Sequence, residues 1–174
     1  MDITRARKRI DGWFPALSAI GYDPTSDEDI KYNCIAWAVG ETHRRWDPAV
    51  GYHWPRGIDR NDHVDTLVEV FKSIGYKTVK KVTKKSVSLQ RGVEKVAIFA
   101  NGNEGTHACR QLSNGKWASK LGDFEDIEHN ELAGFETCYG NAVYMMQKRS
   151  DVGGLVSFFS AMILRLISVF RQQK

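Results

Sequence analysis

Apolar positions recur at two periods along this chain, and the change of period divides it. Ile10, Trp13, Phe14 and Leu17 keep helical spacing, although Gly12 and Pro15 interrupt it. Residues 21–26 read as a turn, and Asp27-Glu28-Asp29 leads into the apolar run Cys34–Ala38. Two N-caps compete for the helix that this run predicts. Ser26 with Asp29 as a capping pair would place Cys34 in the second turn, whereas Asn33 would place it at the first helical position. Residues 61–74 predict a helix with Val64, Leu67, Val68, Phe71 and Ile74 on one face and Gly75 at its end. Beyond it the period shortens to two. Residues 77–82 read as a polar edge strand and 96–100 as an apolar central one. Residues 107–112 and 116–119 form a hairpin around Asn114-Gly115, and 142–147 form a further strand. Helices first and strands after predict an α+β fold, with N-terminal helices packed on an antiparallel sheet.

Residues 152–170 break this pattern. They are apolar except for Ser157, Ser160, Arg165 and Ser168, which fall on one side of a helix. The stretch is barely long enough to span a bilayer, and Arg165 interrupts it. Lys148, Arg149, Arg171 and Lys174 flank it as interfacial anchors would. A helix packed on the domain, an oligomer or partner contact, and a membrane anchor all fit. Gly153-Gly154 reads as a break from the domain, which favours contact with a membrane or a partner. The expected organisation is a helical lead-in over 1–31, the main domain over 32–149 and a C-terminal apolar helix over 150–174.

The chain has 174 residues, enough for one domain with appendages, and a net charge of +4. Its basic residues cluster at Arg5–Arg9 and between Lys77 and Arg91. The second cluster has no interleaved aromatics beyond Tyr76, so a nucleic-acid partner ranks last. Cys34, Cys109 and Cys138 contain no CxxC pair and do not make a disulfide framework. No apolar signal follows the charged first residues, so a cytoplasmic location is the default expectation; membrane association or delivery elsewhere are the alternatives. His43, His53, His63, His107 and His129 show no metal-ligand spacing, and residues 101–105 lack the lysine of a phosphate loop. Neither a metal nor a cofactor is expected.

Two residues carry candidate chemistry. Cys34 precedes an apolar helical run, and the positive end of a helix lowers a thiol pKa. His107 opens the hairpin segment Thr106-His107-Ala108-Cys109. A cysteine with a distant histidine is the minimal arrangement for thiol-based acyl transfer; the bland alternative is a buried cysteine and a satisfied histidine. Trp46, Tyr52 and Trp54 stand in the irregular stretch 41–60, either as one wall of a cleft or as rings that tack the loop to the core.

The segment YNCIAWA (32–38), followed by THACRQL, NGKWASKLG and EDIEH, resembles the papain-like cysteine hydrolases of the NlpC type. More narrowly, it looks like a family of uncharacterised bacterial domains related to that superfamily. The likeness spans roughly residues 32–149. It implies a papain-like fold with Cys34 as nucleophile at a helix start and His107 as general base at a strand start. A third polar residue on the next strand would orient the histidine. That family usually has His, Asn or Gln there; the positional match here is Ser119, with Asp123 and Asp126 as rivals, Asp126 the closer. A two-residue turn would pair Ser119 with Arg110, on the wrong face, whereas a three-residue loop would pair it with Cys109, on the face of His107. Oxyanion stabilisation would come from the Cys34 backbone N–H beside Asn33 or Tyr32, with Trp46 and Trp54 as a substrate wall. The implied activity is a thiol hydrolase or acyltransferase acting on a peptide, isopeptide or acyl substrate. The competing expectation is a membrane-associated effector or interaction module with a degenerate catalytic fold.

Overall fold

A computed structural model describes residues 1–79 and 82–150. The expected C-terminal apolar helix, and with it the membrane or partner contact through 152–170, lies outside the described residues. Among those described, no helix is long and apolar enough to cross a membrane.

The fold is α+β, built on one seven-stranded antiparallel sheet. In chain order the elements are α1 (Ile3–Trp13), α2 (Pro15–Ile20), β1 (Tyr22–Pro24), α3 (Cys34–Ala38), α4 (Val64–Ser73), β2 (Lys77–Val79), α5 (Lys84–Val87), β3 (Val93–Asn101), β4 (Glu104–Gln111), β5 (Trp117–Lys120), β6 (Asp126–His129), α6 (Glu136–Tyr139) and β7 (Asn141–Arg149). The strands lie in the order β1-β6-β5-β4-β3-β7-β2. The polar segment at Lys77 is an edge strand, as its lysines suggested, and β3 lies inside the sheet.

Helices cover both faces. Ile10, Phe14 and Leu17 of the α1–α2 region pack on Ala97, Phe99, Cys109, Trp117, Ile127 and Met145. Ala36 and Ala38 of α3 join Leu67, Val68, Val70 and Phe71 of α4 on Val96, Ile98, Ala100, Ala108 and Met146. Strand alternation sends neighbouring residues of β3, β4 and β7 into opposite layers. Residues 1–31 are built into this core, and the turn expected over 21–26 contains β1, paired with β6 from Tyr22↔His129 to Pro24↔Ile127. Pro24 is tolerated because β1 is at the sheet edge.

Local chemistry sets the helix ends. The first helical pattern is two helices, with Pro15 starting the second at a position where its missing N–H costs nothing. The α4 helix closes with two bonds, Gly75 N–H to Lys72 O at 3.0 Å and Tyr76 N–H to Phe71 O at 3.1 Å. Gly75 supplies the required positive φ of 93°, and the Tyr76 ring packs edge-on against Phe71. Asn33 caps α3: its Oδ1 accepts from the Ala36 N–H and the Trp46 N–H, and its Nδ2 donates to Trp46 O at 2.7 Å. That settles the competition for this helix and makes Cys34 its first residue.

Gly140 joins α6 to β7 at φ 70°, and a Cβ there would overlap the Ala100 carbonyl. Gly140→Ala therefore combines backbone strain with a backbone clash, and a loss of more than about 3 kcal/mol is expected in urea unfolding. Wild-type stability in this variant would contradict the tight approach of β7 to β3.

Candidate active site

The hairpin loop determines what faces His107. The β4–β5 ladder runs Cys109↔Ser119, Arg110↔Ala118, Gln111↔Trp117. Leu112 and Lys116 close it, leaving Ser113, Asn114 and Gly115 as a three-residue loop with Gly115 at φ 90°. Ser119 thus shares a face with Cys109 and His107, and its Oγ lies 3.0 Å from His107 Nε2. His129, on β6, shares that face, since Ser119 pairs with Ile127, two residues before His129. Its Nε2 lies 2.9 Å from the same Ser119 Oγ, and its Nδ1 lies 2.6 Å from the Glu131 carbonyl.

The carbonyl fixes every proton in this row. An oxygen of this kind only accepts, so His129 Nδ1 carries the hydrogen, and its neutral ring presents a bare Nε2. Ser119 then donates its single hydroxyl proton to that Nε2 and accepts from His107. His107 therefore holds its proton on Nε2 and leaves Nδ1 as a free lone pair. The assignment follows from the bonding network. It requires both rings to be neutral, and they are: burial depresses His107 to about 3, with the nearby His129 adding to the effect, and depresses His129 to about 4. His107 is fully buried, stacked on Tyr139 with ring centres 4.3 Å apart and an angle of 2°, and packed against Phe99 and Phe135. His107 Nδ1 has no hydrogen-bond partner.

Cys34 keeps part of its surface open to solvent. Its helix packs on β4 and β5, and its sulfur lies against the backbone N–H groups of Ala108, Ile35 and Cys34 itself. Ala108 follows His107 directly, and it stands where β4 has run past its last paired residue on β5. The expectation of a lowered thiol pKa is corrected: burial pushes the Cys34 thiol up, outweighing those three N–H groups and the positive charge of Arg45. Arg45 is itself engaged by Asp47 and Asp123. No hydrogen bond joins the sulfur to His107, whose Nε2 is taken by Ser119. The imidazole lies in the α1–α2 layer, whereas α3 lies in the other. Burial raises both the Cys109 thiol and the Tyr139 phenol that stacks on His107, and the nearby Cys34 adds to each.

The remaining residues singled out in the sequence have structural contacts. Asp126 accepts from the Tyr32 hydroxyl at 2.6 Å and lies 4.0 Å from Lys120 Nζ, so neither it nor Tyr32 reaches His107. Asn33 spends its amide on α3 and on the Trp46 backbone. Trp46 and Trp54 are buried, at 5% and 7% exposure, with indoles bonded to Glu41 and to the Asp59 carbonyl. They anchor the loop to the core rather than forming an open wall. His107 is the fourth residue of β4 and does not open it. His129 and Tyr139 were missed. Reading residues 126–129 as a strand would have set Ile127 and His129 on one face, but its charged alternate positions hid the period. Among the described residues no group of three or more His, Cys, Asp or Glu is placed to hold a metal.

Two measurements follow from these proton affinities. In a Cys138→Ser background, iodoacetamide should modify Cys34 slowly at pH 7, with a rate that rises through the alkaline side of the ordinary thiol range; a rate already level below pH 7 would show a preformed thiolate. The buried neutral histidines contribute stability that is complete above about pH 6.5 and is lost as pH falls toward their folded values. Between pH 6 and 5, each should steepen the loss by about 1.4 kcal/mol per pH unit. His129→Gln should remove one such contribution in urea titrations, and an unchanged slope would contradict the neutral buried ring.

Comparison with known proteins finds no match among curated proteins or solved structures. Residues 23–147 match one family model, which runs from within β1 to within β7 and includes every residue of the His107 row. The chain therefore belongs to the family described as a domain of unknown function, DUF7689.

Proposed function

We propose that this protein is a thiol hydrolase or acyltransferase with Cys34 as nucleophile and His107 as general base, on a papain-like scaffold of the NlpC type. One observation carries the reading: the Glu131–His129–Ser119 row leaves His107 Nδ1 as a bare, buried base. The rest of the chain supports it through a cysteine at a helix start packed on an antiparallel sheet, with the histidine on a neighbouring strand.

In this reading the thiol proton passes to His107 Nδ1 as sulfur attacks the substrate carbonyl carbon. The N–H groups beside the sulfur stabilise the developing oxyanion. The tetrahedral intermediate breaks its carbon–nitrogen or carbon–sulfur bond, and the leaving group takes the proton back from Nδ1. Water or an acceptor nucleophile then attacks the Cys34 thioester by the same route, restoring the thiol. Because the resting thiol is raised and the imidazole lowered, proton transfer is coupled to attack and no stable ion pair precedes it. Asn33 and Tyr32 act by holding α3 and its loop, and Ser119 acts by orienting the imidazole.

A second reading, an interaction module with a degenerate site, is favoured by the full burial of His107 and the absence of a bond from it to the thiol. Acylation separates the two. Incubated with 4-nitrophenyl acetate, the protein should form an acetyl adduct on Cys34, seen by mass spectrometry, with Cys34→Ala losing it. His107→Ala should slow acylation by about 10²- to 10⁴-fold, with Ser119→Ala intermediate. Equal rates in wild type and His107→Ala would leave only the degenerate reading.

A further inference from the structure

Arg110 is the feature that the proposed chemistry does not use. Its guanidinium is half-buried, with its carbon 4.0 Å from the centre of the Trp37 ring. Burial lowers its pKa, so its charge is poorly solvated. Yet no carboxylate or carbonyl among the described residues bonds it, and its Nε has no partner. A guanidinium carries five donors, and leaving them without acceptors in a partly dehydrated place is costly.

The side chain lines a cavity of about 320 Å³ at the C-terminal end of α3, bounded by Val39, Gly40, Tyr76, Glu94, Lys95 and Leu112. The other charged groups there already have partners. Glu94 accepts from Tyr76 at 3.1 Å and pairs with Lys148 at 3.1 Å, and Lys95 donates to the Ser86 and Ser88 carbonyls at 2.8 and 2.5 Å. Arg110 is thus the cation there whose donors are unspent, a planar fork over the Trp37 indole. Gly40 keeps the guanidinium uncovered, because a Cβ at that position would press on Nη1 at 3.3 Å.

We propose that this cavity is a carboxylate-binding site, with Arg110 as its anchor and Trp37 as the support under the guanidinium. Lys95 has committed its donors to carbonyls, so the ligand meets the planar fork of Arg110, beside the Glu94 carboxylate, which suits a planar carboxylate better than a tetrahedral, doubly charged phosphate. The size fits a small organic acid or the terminal carboxylate of a peptide, which share the same recognising chemistry. The site is at the opposite end of α3 from Cys34 and does not depend on the acyl-transfer reading.

Titration of the full chain with sodium propionate, N-acetylglycine and inorganic phosphate, followed by ¹⁵N–¹H NMR, tests this. The two carboxylates should shift the Trp37 indole and Arg110 Nε signals saturably. Arg110→Lys should weaken binding at least tenfold by losing the fork, and Arg110→Gln should abolish it while the other signals stay dispersed. Tighter binding of N-acetylglycine than propionate would assign a peptide terminus, and equal binding a free acid. Absence of saturable shifts, unchanged binding in both variants, or a response to phosphate alone would each overturn the proposal.

Discussion

The Ser119 hydroxyl, held between two imidazoles, is the interaction on which the site depends. It has one proton to give, and the Glu131 carbonyl decides where that proton goes by claiming the far nitrogen of His129. A backbone acceptor two residues beyond the end of β6 thereby selects the tautomer of a ring two strands away. Removing the hydroxyl would leave the Nε2 proton of His107 without an acceptor in a closed layer, at a cost of about 1–3 kcal/mol. A loop one residue shorter or longer would turn Ser119 to the other face, so the register of the β4–β5 hairpin and the chemistry of the site are the same constraint.

Burial shapes the chemistry as much as geometry does. Phe99, Phe135 and Tyr139 surround the His107 ring, which keeps it neutral and its Nδ1 lone pair unspent. The same exclusion of solvent raises the Cys34 thiol against the pull of its three neighbouring N–H groups. Neither partner is charged at rest. Any catalysis of the proposed kind must move one proton between two neutral groups lying in different layers of the fold, at the place where β4 and β5 part. The split between strands is what lets a residue on one face come near the backbone of the other.

Much of this was legible in the sequence, and the failures have physical causes. Helix α4 and its glycine stop were readable because one periodic face and one capping residue agree. Asn114-Gly115 marked the hairpin, but the choice between a two-residue turn and a three-residue loop with Ser113 stayed open, and that single residue decides the face of Ser119. Strand β1 was hidden because Gly21 and Pro24 are turn signals that an edge strand can also accept. Strand β6 was hidden because Asp126 and Glu128 alternate with Ile127 and His129, a buried polar pattern sustained by Tyr32 and Lys120 on one side and by Ser119 on the other. The direction of the Cys34 pKa was misjudged because a helix start is visible in sequence and desolvation is not. Trp46 and Trp54 could be read as a cleft wall or as anchors to the core because composition cannot tell a ring facing solvent from one facing the core.

The measurement that bears most directly on the central claim is the long-range ¹⁵N–¹H NMR spectrum of the histidine side chains at neutral pH. The account predicts that His107 carries its proton on Nε2 with a bare Nδ1, and that His129 carries its proton on Nδ1. A protonated Nδ1 on neutral His107, or a doubly protonated ring at either position, would contradict it.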